Sequence, residues 1–270
     1  MTNQHDISLP GGENAVLLIH GLTGSPFELK HVALRLNKAG FTVKVPCLAG
    51  HGTTYDDLAR TRWQDWQETV AASLAELRQT HASVSVGGLC MGAVLALLLA
   101  ADAKNQVNSL ALMSTTLAYD GWATPWYRFL ISIVYYTPFR HLAYYSEQEP
   151  FGIKNERLRR QVEKGLKENT IGYSRFPCTA MYELLRLAAA TKKVMPRVTA
   201  PALILHAQED DLASVKNAEY VEQHIGSEKK IKILLDDSYH MITMDNQRAQ
   251  VTEKLIQFFT EMVPKNRTFV

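Results

Sequence analysis

The stretch Val86-Gly87-Gly88-Leu89-Cys90-Met91-Gly92-Ala93 constrains this chain more than any other. A β-branched run, Ser83 to Val86, leads into a glycine-dense corner, and Ala93 to Ala101 beyond it is almost wholly Ala, Leu and Val. The pattern predicts a short buried strand, a very tight turn and a buried helix, with one reactive side chain at the apex. A nucleophile held there sits in a strained backbone conformation, so the residues two before and two after it must be small. Gly88 and Gly92 meet that demand. The arrangement is glycine-x-nucleophile-x-glycine, with Cys90 where serine is usual.

The rest of the chain alternates in a way that suits such a turn. Ala15 to Ile19 reads as a buried strand ending in the loop His20-Gly21-Leu22-Thr23-Gly24, whose backbone N–H groups can serve as oxyanion donors. Ser25-Pro26 reads as the cap and first turn of an amphipathic helix to about Ala39. Phe41 to Val45 is the next strand, and Pro46 to Thr54 a loop holding Gly50-His51-Gly52. Trp63 to Thr80 has helical spacing, with Trp66, Val70, Leu74 and Leu77 on one face. Val107 to Met113, Ala202 to His206 and Ile231 to Leu235 read as strands, Ser214 to Ile225 and Thr243 to Met262 as helices. This order predicts an α/β fold, a mostly parallel sheet covered by helices on both faces.

The alternation breaks between about Ser114 and Arg197. Eleven of the chain's 24 aromatic residues lie between Tyr119 and Phe151, followed by helix-favouring stretches at Asn155 to Glu168 and Ala180 to Thr191. The expected organisation is a core of residues 1–113 and 198–270 with a helical cap insertion, 114–197, over the edge of the sheet where α/β proteins bind ligands. Trp122, Trp126, Tyr127, Phe129, Tyr135 and Tyr136 are read either as the insertion's own core or as a lid lining an acyl pocket. A lid would favour medium or long acyl chains.

Bulk properties exclude several classes. A chain of 270 residues with net charge +2 carries no basic stripe of a nucleic-acid reader. Cys47, Cys90 and Cys178 make an odd count without metal-ligand spacing, which fits a reducing compartment. Met1 to Pro10 lacks the apolar core of a signal peptide, and the longest apolar-aromatic run, Trp126 to Phe139, is interrupted by Arg128 and too short to span a bilayer. A cytoplasmic protein without stable membrane insertion, cofactor or metal is expected. No sequence signal fixes its oligomeric state.

A nucleophile on such a turn needs a general base and a group to orient that base. With this turn, the acid follows the nucleophile in the chain and the histidine comes last. Asp210, in Gln208-Glu209-Asp210-Asp211, and His240, in Ser238-Tyr239-His240-Met241, each stand just past a predicted strand. Together with His20-Gly21-Leu22-Thr23-Gly24, Gly50-His51-Gly52 and His240-Met241-Ile242-Thr243-Met244-Asp245, they make the chain resemble the α/β-hydrolase superfamily. Within it, the resemblance is to the bacterial carboxylesterase and monoglyceride-lipase-like enzymes. It implies an α/β-hydrolase fold and hydrolysis of small-molecule esters or thioesters through an acyl-enzyme. It also implies Cys90 as nucleophile, His240 as base and Asp210 as orienting acid, with Asp211 the alternate acid. The N–H groups of Leu22 and Met91 would form the oxyanion hole.

Cysteine at the apex leaves three readings: a cysteine hydrolase, an acyltransferase that hands its thioester to an alcohol, amine or thiol, or a laboratory replacement of serine. Polyhydroxyalkanoate synthases also carry cysteine there, but this chain is short for a polymer synthase. A non-catalytic ligand-binding protein on a hydrolase fold is the reading from another class, which the presence of both His240 and Asp210 argues against. His20 and His51 are expected to tie loops near the site, and His206 to be a core histidine with its bonds satisfied. The remaining histidines, His5, His31, His81, His141 and His224, have no ligand spacing, and Cys47 and Cys178 are read as unreactive thiols.

Overall fold

In the computed structural model, which describes residues 5–125, 129–137, 143–146, 148–167 and 175–264, the predicted apex strand lies fourth of seven in the main sheet. The strands are β1 (Ile7–Leu9), β2 (Asn14–Ile19), β3 (Thr42–Val45), β4 (Ser83–Leu89), β5 (Leu110–Met113), β8 (Ala202–Ala207) and β9 (Lys230–Leu235). Their order is β1-β3-β2-β4-β5-β8-β9, and every pair is parallel except β1 with β3. The sheet is thus of the α/β-hydrolase kind. β6 (Tyr144–Ser146) and β7 (Arg175–Pro177) form a separate antiparallel pair.

Central strands here are apolar on both faces, as a sheet with two covering layers requires. Ala15, Leu17 and Ile19 of β2 pack into one cluster with Trp66, Val70 and Leu74 of α3 (Trp63–Thr80) and the buried face of α4 (Met91–Ala100). Val16 and Leu18 point to the other side, onto Val32 and Leu36 of α1 (Lys30–Lys38) and Val251, Leu255 and Phe259 of α9 (Arg248–Met262). The period of two along β2 therefore divides the core into its two layers. Met91 to Leu97 are all buried, because α4 lies against the sheet beneath a further helical layer.

The structure differs from the sequence reading in several places. β1 is an edge strand of three residues, too short to stand out by alternation. A short helix, α2 (Tyr55–Arg60), follows the 46–54 loop and is held by a reciprocal cap between Thr54 and Asp57. β5 starts at Leu110, and the closing helix starts at Arg248 rather than Thr243.

The 114–197 segment carries α5 (Leu130–Tyr135), α6 (Glu156–Lys167) and α7 (Cys178–Val194). Met181, Leu184 and Leu187 of α7 join the same cluster as α4, so this helix forms part of a layer over the sheet. Trp122, Phe129 and Tyr136 are 61%, 57% and 76% exposed, which rules them out as an interior core. Tyr135 stacks on Tyr182 at 3.8 Å, while Trp126 and Tyr127 lie outside the described residues. No helix among the described residues is long and apolar enough to cross a membrane.

The tightest packing is at the glycine corner. A Cβ on Gly88 would stand 2.2 Å from the Gly92 carbonyl, and one on Gly92 would stand 2.1 Å from the Ile19 oxygen. Both clashes are with backbone, which has little room to yield. Gly92→Ala is expected to destabilise the fold by about 3 kcal/mol or more, seen in calorimetry as a Tm lower by about 10 °C. An unchanged Tm would mean that α4 can shift away from β2 freely.

Candidate active site

At the end of β4 the chain turns into α4 through one residue, Cys90, with φ 57° and ψ −117°. A side chain rarely adopts positive φ, and the surroundings must hold it there. They do so through the Cys90 N–H, which donates to the Met113 carbonyl at 2.9 Å, and through Ala93 N–H, which donates to the Cys90 carbonyl at 3.1 Å. The sulfur is buried at the sheet's C-terminal edge beside Gly21. Thr116 Oγ1 lies 3.3 Å from it and 3.1 Å from the Ser114 carbonyl, so its single hydrogen can serve either acceptor.

The loops after β8 and β9 reach the same edge because those strands run parallel to β4. Asp210 is buried, and its Oδ1 accepts from the N–H groups of Leu212 (2.9 Å) and Ala213 (2.7 Å). Those bonds aim the carboxylate at His240, whose Nδ1 lies 3.0 Å from Oδ1 and 2.9 Å from Oδ2. Nδ1 therefore carries hydrogen, and Nε2 is left to face Cys90. Nε2 has no hydrogen-bond partner among the described residues, although Cys90 is near enough to act on the ring. Nucleophile–base contacts are often long before substrate is bound.

The electrostatics follow from this burial. Burial lowers the His240 pKa, but the Asp210 carboxylate and then the neighbouring Cys90 outweigh it and hold the imidazole well above its ordinary value. Burial also works against the Asp210 charge, yet His240, its hydrogen bond and His206 keep that carboxyl below the usual range. Asp211, the alternate acid, does not meet the ring. Its Oδ1 accepts the His240 backbone N–H at 3.2 Å and its Oδ2 that of Gly152 at 3.1 Å, and burial raises its pKa.

Met91 opens α4 directly after the apex, and Leu22 lies in the loop that follows β2. Neither N–H donates a hydrogen bond within the described residues, as an oxyanion pair requires. His51 Nε2 meets the Leu22 carbonyl, and His20 bridges the Gly21 carbonyl (2.8 Å) and the Leu48 N–H (3.1 Å). Both histidines are fully buried. Burial, then His51, lowers the His20 pKa to about 3, so it stays neutral and works as a loop tie. His206 is buried with Nε2 on the Ala213 carbonyl at 2.7 Å, but its Nδ1 has no partner among the described residues, so it is only half satisfied.

Several neighbours escaped the sequence reading. Ser114 Oγ donates to the His240 carbonyl at 2.7 Å, so both backbone polar groups of His240 are held, one by Asp211 and one by Ser114. Asp245 is buried and accepts four backbone N–H groups, from Tyr239, Asn246, Lys154 and Asn155, at 2.7 to 2.9 Å. It binds the histidine loop to the 150–155 segment. The one available signal was position: Ser114-Thr115-Thr116 is a polar trio directly after a buried strand at the same edge.

Comparison with known proteins adds a lineage. Residues 12–247 match the family described as serine aminopeptidase, S33. A thermostable monoacylglycerol lipase of Bacillus sp. (strain H-257) is 32% identical over 250 residues, covering 93% of this chain and 92% of that one. A carboxylesterase of Bacillus subtilis (strain 168) is 24% identical over 258 residues, 93% of this chain and 94% of its own. Among solved structures, one from work on the metagenome-derived lipolytic enzymes LipS and LipT superposes with a TM-score of 0.83 at 25% identity. It covers 97% of this chain and 100% of that one. Since the matched span takes in the apex turn and both loops that meet it, the chain belongs to the serine aminopeptidase, S33 family of α/β-hydrolases.

Proposed function

We propose that this chain is a carboxylic-ester hydrolase that works through an acyl-enzyme on Cys90, with His240 as general base and Asp210 as the acid that orients it. The observation that carries the reading is the pairing of His240 Nδ1 with both oxygens of a buried Asp210, which turns Nε2 towards a cysteine on a positive-φ turn. Kinship with a monoacylglycerol lipase and a carboxylesterase supports a small acyl ester as substrate. The exposed aromatic end of the 114–197 segment is its cap. A reducing cytoplasm, where the three cysteines stay thiols, is the compartment that suits it.

The steps balance without any further reagent. His240 Nε2 takes the Cys90 proton, and the sulfur attacks the ester carbonyl. The oxyanion that forms is stabilised by the N–H groups of Leu22 and Met91. Collapse breaks the carbon–oxygen bond, and the imidazolium gives its proton to the leaving alcohol. Water, deprotonated by His240, then attacks the thioester, releasing the carboxylic acid and restoring the thiol. Thr116 supports the charged sulfur by turning its hydroxyl from Ser114 to Cys90. Cysteine in place of serine favours a second reading, in which an alcohol, amine or thiol replaces water in the last step.

Intact mass after mixing with p-nitrophenyl butyrate, with phenolate release followed in parallel, separates the two. Sustained release without a lasting adduct is expected of the hydrolase. A single burst that leaves one butyryl group on Cys90 turns the assignment to the transferase, and neither release nor adduct overturns both. His240→Ala should lower kcat about a thousandfold or more; a loss under about tenfold removes His240 from the mechanism. Thr116→Val should lower kcat about 10- to 100-fold, the worth of a hydrogen bond to a charged atom, and Thr116→Ser should restore it.

The raised His240 pKa also has a consequence for stability. Its contribution is fully present below about pH 6.5, the unfolded value, and is lost as pH rises through the folded pKa. Asp210→Asn removes the attraction that raises it. The Tm difference between the two proteins should be widest between about pH 5 and 6.5 and narrow at higher pH. A difference independent of pH would show that the pair is not charged in the folded state.

A further inference from the structure

Between α1, α6 and the loop leading into α9 lies a cavity of about 430 Å³ that is lined by none of Cys90, His240 and Asp210. Phe27, Leu34, Leu158, Val162 and Met244 give it apolar walls, and Phe27 and Leu34 are about half exposed although both are large hydrophobic residues. Its volume falls within the range of small-molecule sites.

The charge on its rim is one-sided. Lys30, His31 and Arg248 line it, and neither Lys30 nor Arg248 forms a salt bridge among the described residues. Lys30 Nζ stands 6.0 Å over the Phe27 ring. Burial, then the charges of Arg248 and Arg35, lowers the His31 pKa, as expected where cations gather without a counter-charge. Glu28 is the acid among the lining residues, and it is committed elsewhere. Its Oε2 accepts the Gly21 N–H at 3.1 Å, and its carboxylate fills the space where a Gly24 side chain would be.

We propose that this groove binds an ionised fatty acid, its chain along the apolar wall and its carboxylate between Lys30 and Arg248. An apolar trough that also carries Lys30 and Arg248 without a salt-bridge partner among the described residues matches a single-headed anionic amphiphile, and a neutral ester leaves those cations unpaired. The inference deepens the ester-hydrolase reading, in which a fatty acid is the acyl product, although binding needs no turnover. The groove also adjoins the machinery. Thr243 Oγ1 donates to the Glu28 carbonyl at 3.0 Å, so the residue that ties Gly21 is itself fixed from the groove's wall.

Isothermal titration of the full chain with decanoate, below its micelle concentration, and with 1-decanol tests this. Decanoate should bind saturably, and the double variant Lys30→Glu/Arg248→Glu should weaken it at least tenfold while leaving 1-decanol and the rate on p-nitrophenyl butyrate unchanged. Gln161→Trp, which fills the groove without reversing charge, should weaken decanoate as well. Decanoate affinity indifferent to both variants would overturn the proposal and put the fatty acid in the Cys90 site or on no defined site. Charge-dependent binding in a chain that does not turn over ester would leave the groove standing and remove the hydrolase reading. Turnover without such binding would do the reverse.

Discussion

The near contact between Gly88 and Gly92 governs the geometry of everything around Cys90. With no side chain on either residue, the end of β4 and the first turn of α4 come close enough for Cys90 to bridge them alone, at φ 57°. A non-glycine residue held there stores roughly 1–3 kcal/mol of strain. That strain is sustained by what lies on either side: a strand hydrogen-bonded to β2 and β5, and a helix buried along nearly its whole length. The result is a sulfur presented at a fixed point on the sheet's edge, with the helix N-terminus directly behind it.

Against that fixed point the histidine has to be positioned just as firmly, and two adjacent acids divide the work. Asp210 holds the ring and sets which nitrogen bears hydrogen, while Asp211 holds the backbone of the same residue. Ser114 takes the His240 carbonyl, and Asp245 gathers four N–H groups from the histidine loop and the 154–155 segment. Supporting contacts of this kind keep reacting groups within tolerance of a productive geometry. Through Asp245 they join the histidine loop to the 150–155 segment.

Cysteine at the apex sits in a site whose other parts match a serine family. The thiolate is the attacking species, so its formation depends on the imidazole that takes its proton. The buried Asp210 carboxylate, which holds the His240 pKa up, favours that transfer. In the mechanism proposed above the intermediate is a thioester, whose fate depends on which nucleophile reaches the edge of the sheet.

The sequence alone determined the apex turn, the strand-and-helix alternation and the candidates Cys90, His240 and the neighbouring pair Asp210 and Asp211. Each rests on local physics: glycine where backbones must touch, apolar runs where both faces are covered, and chain order after parallel strands. It read the two faces of α3 correctly because Trp66, Val70 and Leu74 repeat at helical spacing. It could not distinguish Asp210 from Asp211, since two neighbouring carboxylates in one loop differ only in the direction they point. Tertiary structure made that choice, through the N–H groups of Leu212, Ala213, His240 and Gly152. Ser114, Thr116 and Asp245 likewise acquire their partners from residues 26 to 126 positions distant, or across loops. β1 needed β3 to exist as a strand at all. Hydrogen bonds between distant segments have no periodicity to read, so these decisions belong to the folded chain.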